Sequence, residues 1–303
     1  MLQGEFAKAH ATELDGSQVA VKVLKQERRG DPKAVRGLKR EIMIMSMMDH
    51  PNILSVLAIG HQSDSVPFVV LERLHTVLNK QLPTDPDTVP FWVTWRERRQ
   101  WPLSRGLAIG LQLARALSYC HDGAVDGYRV MHRDIKPNNI GFMPPDSPSK
   151  SAGQVVLFDF GLTVLWKRNP KWSVDGHPER EEERCLTGEC GSLRYMAPEV
   201  ANSRPYNHLS EVFSFATVLW EVCSHKKPFT SFDEVVFKSA IDKGSRPKVN
   251  KKWPLGLCSL LHDCWQHKPK ERPEFRDVVL RLQQLVGGLE EDTEDIQASD
   301  KHT

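Results

Sequence analysis

Four short strings lie along the chain in one order, and that order restricts the fold more than any other feature. VAVK ends at Lys22, HRDIKPNN runs from His132 to Asn139, DFG occupies Asp159 to Gly161, and MAPE spans Met196 to Glu199. Each has an ordinary reading on its own. A lysine in a strand is usually a solvent-facing charge, and aspartate and glycine are common turn formers. All four in this order are far more specific than any one of them alone.

The segments between the strings indicate how. Residues 18–24 (QVAVKVL) are β-branched and predict a strand around Lys22. Residues 33–48 carry apolar side chains at helical spacing, and Asp49-His50-Pro51-Asn52 stops that helix because proline disfavours helix at the residue before it. ILSVLAIGHQ and VPFVVLERL predict two further strands. Beyond them the pattern turns helical, at 103–121, 209–223, 231–242, 256–266 and 274–286, with loop compositions at 144–153 and 167–184. The expected division is a strand-rich unit over 1–75, a helical unit over 76–286, and a disordered acidic tail over 287–303.

Composition narrows the partners. Across 303 residues, 41 Lys and Arg against 39 Asp and Glu give a net charge of +2, which removes the electrostatic argument for nucleic acid or an anionic membrane as main partner. No apolar stretch approaches the roughly 20 residues of a membrane span, and the first ten residues have no signal-type apolar core. The six cysteines are scattered with no C-x-x-C pair. A chain of this size buries a core without disulfide staples, so a reducing, cytoplasmic setting is expected.

Taken together, the four strings resemble the signature set of a eukaryotic-type protein kinase catalytic domain, from about residue 2 to about residue 286. The resemblance implies an α+β bilobal fold, with a small antiparallel-sheet lobe holding one main helix and a large, mostly helical lobe. It also implies ATP and Mg²⁺ as cofactors, protein substrates, and an upstream activating kinase as a partner. On the matching positions, Lys22 contacts the α- and β-phosphates and Glu41, on the helix after the strand, holds it. Glu27 also follows that strand, but too soon to lie on the helix face. Asp159 and Asn139 hold the metal, Asp134 accepts the substrate proton, and Lys136 neutralises the transferring phosphoryl group. Ala20 and Leu71 border the adenine, to which Glu72 and Leu74 offer backbone groups.

Further strings place the chain within that family. Trp265, Pro269, Arg272, Pro273 and Phe275 spell W-x3-P-x2-RP-x-F, and Gly244, Arg246 and Pro247 spell G-x-RP. Both resemble tyrosine kinases and the tyrosine-kinase-like group, and Arg272 is expected to pair with Glu199. Lys136, with Gly191-Ser192 ahead of Tyr195, resembles serine/threonine kinases, and Ser192 is expected to bond near Asp134. Thr187 lies where activating phosphorylation falls in the family, with Ser173 a second position. Arg133 would receive that phosphate.

Three departures stand against the pattern. Of the glycines in the phosphate-covering loop only Gly4 is kept, with Phe6 at the tip and Leu2 and Ala7 at the outer positions. The chain is accordingly expected to open inside that loop without its first strand. This motivates an alternative reading, a pseudokinase or scaffold with weakened nucleotide binding; a small-molecule kinase is a third. Glu211 stands where an aspartate usually braces the catalytic loop, and Ala216 at a usual glycine. RERRQ at 96–100 reads as a solvated face rather than a basic docking patch, and the loop around Ser147-Pro148 as solvated rather than a phosphosite.

Overall fold

The computed structural model describes residues 2–3, 7–14, 16–62, 66–144, 153–168 and 183–300. Strands β1 (Leu2–Gln3), β2 (Ala7–Leu14), β3 (Ser17–Leu24), β4 (Val56–His61) and β5 (Pro67–Glu72) form one sheet in the order β1-β2-β3-β5-β4, every pair antiparallel. Leu2 and Gln3, the first positions of the expected glycine loop, pair with Ala9 and Lys8 as a short strand. Two residues carry too little pattern to read as a strand, and β2 carries a weak one, because the apolar positions alternating in KAHATE are Ala9 and Ala11 and alanine is depleted in strands.

Helix α1 (Pro32–Ser46) packs against this sheet. It opens on Asp31, whose carboxylate accepts the Lys33 N–H at 2.8 Å, with Pro32 at the first helical position, where a missing N–H costs nothing. Ala34, Leu38, Ile42 and Met45 form its buried stripe, and Glu41 is buried among them.

From residue 76 onward helices dominate. Strand β6 (Thr76–Val77) runs into α2 (Leu78–Gln81); α3 (Phe91–Arg99) and α4 (Leu103–Asp122) follow. Strands β7 (Tyr128–Met131), β8 (Ile140–Phe142), β9 (Val155–Leu157) and β10 (Val164–Lys167) form two small sheets, β10-β7 and β6-β8-β9. The remainder comprises α5 (Pro198–Ala201), α6 (Ser210–Ser224), α7 (Glu234–Asp242), α8 (Leu255–Cys264) and α9 (Phe275–Asp300). Helices α4 and α6 approach closely because Gly110 has no side chain: a Cβ there would lie 2.6 Å from Leu219 Cδ1. Buried apolar side chains form one cluster running from Leu24 and Ile42, under the sheet, to Leu282 on α9.

The helices expected at 33–48, 103–121, 209–223, 231–242 and 256–266 are all present within a few residues. The last differs. Helix α9 continues through the acidic stretch to Asp300, where a disordered tail was expected. Glutamate and alanine are good helix formers, and a helix already nucleated by packing propagates cheaply. Helix α3, over Phe91–Arg99, was not anticipated as a helix.

Candidate active site

The register of β3 on β5 sets the roof of the site: Ala20 faces Leu71 and Lys22 faces Val69. Lys22 reaches across to α1, where its Nζ lies 2.6 Å from Glu41 Oε1, and also 2.9 Å from Asp159 Oδ1. Glu27 lies in a 3-10 turn, Gln26–Arg28, and it is Glu41 that meets Lys22. Burial alone would pull the Lys22 pKa down. The two carboxylates outweigh it and hold the ammonium charged well above the usual lysine range. Burial likewise works to raise Asp159, but Lys22, helped by His132 and Lys136, holds that carboxyl below its ordinary value.

The floor is built by the β8–β9 hairpin. Ile140 pairs with Leu157, and Phe158 N–H donates to Asn139 O at 3.0 Å, which sets the HRD segment beside the DFG segment. His132 ties the two: its Nε2 donates to Phe158 O at 3.0 Å, its Nδ1 accepts the Asp134 N–H at 3.2 Å, and its ring meets Phe160 edge-on. Arg133 (φ 65°) and Asp159 (φ 67°) both sit in the left-handed region, an uncommon conformation for side-chain-bearing residues that concentrates at functional sites.

Asp134 is nearly buried and fully engaged. Its Oδ1 accepts the Ser192 hydroxyl at 2.9 Å; its Oδ2 lies 2.7 Å from Lys136 Nζ and accepts from Asn139 Nδ2 at 2.9 Å. Lys136 also donates to Ser192 Oγ at 2.8 Å, so acid, lysine and serine close a ring. Asn139 Nδ2 further donates to Asp134 O at 2.9 Å, which leaves the Asn139 carboxamide oxygen as its remaining ligand atom. Among the described residues no cluster of three or more His, Cys, Asp or Glu could hold a metal by itself. The donor set of Asp159 carboxylate and Asn139 carboxamide instead suits Mg²⁺, which takes one or two protein oxygens and completes its shell with phosphate and water.

Glu211 supports the loop from below. Its Oε1 accepts the Arg133 N–H at 2.6 Å and its Oε2 lies 2.6 Å from His121 Nε2. The extra methylene relative to aspartate thus leaves the brace intact. His121 escaped sequence reasoning; the available signal was an imidazole at a position of α4 where the helical period calls for an apolar side chain.

Ser192 therefore lies where it was expected, and so does the buried ion pair of Arg272 with Glu199, bidentate at 2.5 and 2.9 Å. Arg246 donates to Trp265 O at 3.0 Å, joining the two C-terminal strings. Thr187 is exposed; its carbonyl accepts the Tyr206 hydroxyl at 3.0 Å, while Arg133 donates through Nε to Leu162 O at 2.7 Å and through a terminal nitrogen to Tyr206 at 3.4 Å. Glu72 is buried: its carboxylate accepts the Ser55 N–H at 3.0 Å and its own N–H donates to Ser55 O at 3.3 Å. Leu74 packs over Gly141. Gly4, Phe6, Ser147 and Ser173 lie outside the described residues.

A cavity of about 840 Å³ separates roof from floor, and Ala20, Lys22, Leu71, Leu74, Asp134 and Asp159 all line it. A strand lysine held by a helix glutamate above, and a hydrogen-bonded aspartate beside a DFG aspartate below, define a two-lobed phosphotransferase domain. Comparison with known proteins agrees: a model of the family "protein tyrosine and serine/threonine kinase" matches residues 2–282, and the chain belongs to that family. It is 30% identical over 274 residues to serine/threonine-protein kinase 12 of Arabidopsis thaliana, covering 89% of this chain and 52% of that protein. It is 25% identical over 286 residues to dual specificity protein kinase shkD of Dictyostelium discoideum, covering 94% and 34%. Against human mitogen-activated protein kinase kinase kinase 11 the identity is 26% over 286 residues, covering 93% and 30%. The chain spans about half or less of the length of these three relatives. Among the described residues no helix is long and apolar enough to cross a membrane.

Proposed function

We propose that the chain is an active serine/threonine protein kinase of the tyrosine-kinase-like group, moving the γ-phosphoryl group of ATP to a protein hydroxyl. The observation that carries this reading is the closed ring of Asp134, Lys136 and Ser192 facing the same cavity as the Lys22–Glu41–Asp159 chain. A loose transition state asks mainly for positioning and charge neutralisation. Lys22, fixed by Glu41, would hold the α- and β-phosphates. Asp134 would take the proton of the incoming serine or threonine as its oxygen bonds to the γ-phosphorus and the bond to ADP breaks. Lys136 would balance charge on the phosphoryl oxygens. Asp159 and Asn139 would hold Mg²⁺, which supplies charge neutralisation at the phosphates.

The same reading extends to regulation and setting. Thr187 is exposed and joined to Arg133 through Tyr206, which supports phosphorylation there by an upstream kinase. Six free cysteines support a cytoplasmic location. The pseudokinase alternative is not favoured, because every charged group of the set is present and engaged. Transfer of labelled phosphate to a generic basic protein tests the proposal: wild type should label it and Asp134→Asn should not. Equal signals from the two would overturn it.

A further inference from the structure

Helix α3 carries a surface that the phosphotransfer machinery does not use. Trp92 is 77% exposed and Trp95 50% exposed. With Arg96 and Arg99, both exposed, they stand at i, i+3, i+4 and i+7 and so share one face of the helix. The Arg99 guanidinium lies 5.5 Å from the Trp95 ring centroid, a cation–π distance. Tryptophan is highly buried on average, so two of them exposed within one helical turn mark a binding surface.

The helix is anchored, which makes that surface a fixed one. Thr94, pointing away from the stripe, is fully buried, and the Glu97 carboxylate accepts the Thr84 N–H at 2.9 Å. Thr84 adjoins Asp85, whose carboxylate accepts the Lys227 N–H at 3.1 Å, and the neighbouring Pro228 carbonyl accepts from Arg194 at 3.3 Å. Arg194 is two residues from Ser192 of the catalytic ring. Helix α3 is thus tied by short polar links to the flank on which Ser192 sits.

We infer that the Trp92–Trp95–Arg96–Arg99 face of α3 docks an acidic segment, bearing an apolar or aromatic anchor, of the protein being phosphorylated. The inference rests on the kinase reading above. Charge complementarity selects the occupant: Arg96, Arg98 and Arg99 lie against one acid, Glu97, already committed to Thr84. Arginine forks match carboxylates, and indole faces supply the buried aromatic contacts that dominate interfaces. A nucleic acid would call for a wider basic field than a chain of net charge +2 offers. An interfacial membrane helix keeps its charges on the face opposite its aromatics, whereas here Arg96 and Arg99 share the face of Trp92 and Trp95.

The test separates docking from catalysis. The probe is a fluorescein-labelled twelve-residue peptide of glutamates carrying one phenylalanine and one leucine, followed by anisotropy with no nucleotide present. Wild type should bind it saturably, and both Trp92→Ala/Trp95→Ala and Arg96→Glu/Arg99→Glu should weaken binding about tenfold or more, equivalent to about 1.4 kcal/mol. Fused ahead of a serine acceptor, the same segment should lower KM in wild type only, with kcat on the untagged acceptor equal in all three proteins. Unchanged affinity in both variants, equal binding of a lysine-for-glutamate peptide, or preference for single-stranded RNA or anionic vesicles would overturn the inference. Binding without phosphate transfer would leave the docking face standing and sink the kinase reading instead.

Discussion

Glu211 holds the backbone N–H of Arg133 with one carboxylate oxygen and His121 with the other, both at 2.6 Å, and so fixes the HRD loop to α4 and α6 together. The carboxyl is almost wholly buried, and burial works to raise its pKa. The His121 hydrogen bond, helped by the Arg133 N–H, overrides burial and holds it below the usual glutamate value. A depressed carboxyl pKa contributes stability that is present above the unfolded-state value, here near 4.5, and is lost as pH falls through the folded value.

Replacing Glu211 with Gln should therefore flatten the acid limb of the stability curve below about pH 4.5. The slope should fall by at most one proton's worth, about 1.4 kcal/mol per pH unit. Urea titrations at a series of pH values read it directly. Parallel wild-type and variant curves in that window would show that Glu211 does not titrate with unfolding.

Glu211→Ala goes further, because it leaves His121 and a buried N–H without their acceptor. A loss of about 3–5 kcal/mol is expected. Glu211→Asp should lie between wild type and alanine, since a carboxylate one methylene shorter cannot keep both 2.6 Å contacts without moving α6. An aspartate variant more stable than wild type would contradict this.

How much of this was legible beforehand follows a physical divide. Lys22, Glu41, Asp134 and Asp159 could be named because the strings carrying them resemble a family signature in its order, and the structure brings all four to one cavity. The strand around Lys22 and the helix around Glu41 carry clear periodicities. Helix α3 was not legible because Trp92, Trp95 and its arginines face solvent, so no apolar stripe marks it. The two-residue β1 and the alanine-patterned β2 were missed because their signal is weak, and the acidic part of α9 because composition alone does not separate a solvated helix from a solvated coil. His121 was hidden because a buried polar side chain declares itself only through its partner.

Lys22→Met should reduce kcat on the order of a hundredfold to a thousandfold, the cost of one preorganised charge at a reacting phosphate. It should also lower stability, since Glu41 is 5% exposed and would lose its cation. Adding Glu41→Leu should restore stability and leave kcat at the single-variant level, because only stability counts the orphaned carboxylate. Calorimetry and steady-state assays on the four proteins of this cycle measure both quantities. A double variant less stable than Lys22→Met would refute the pairing argument.

Arg272 is fully buried and donates to both oxygens of Glu199 and to the carbonyls of Leu209, Gln266 and His267. Arg272→Met should cost about 3–5 kcal/mol, since it strands the Glu199 carboxylate. Arg272→Lys keeps the charge but loses the planar fork, so it should recover only part of that. Urea midpoints rank the three proteins, and lysine equal to arginine would show that charge alone is needed.

Gly191 offers the clearest separation of backbone strain from steric conflict. Its φ of +104° is open to glycine, and a Cβ there would lie 2.4 Å from the Arg133 carbonyl oxygen. Gly244 has a similar φ of +92°, with nothing within 4 Å of the position a Cβ would take. Alanine at either position carries the backbone cost, on the order of 1–3 kcal/mol. Only at residue 191 must the HRD loop also move, because a backbone oxygen has no rotamer to escape into. Gly244→Ala should therefore lower the unfolding midpoint and leave kcat at the wild-type value. Gly191→Ala should lower both, with kcat down at least about tenfold, since it displaces Asp134 and the adjoining Ser192 by tenths of an ångström. Equal kcat in the two variants would mean that the Gly191–Arg133 contact does not position Asp134 for phosphate transfer.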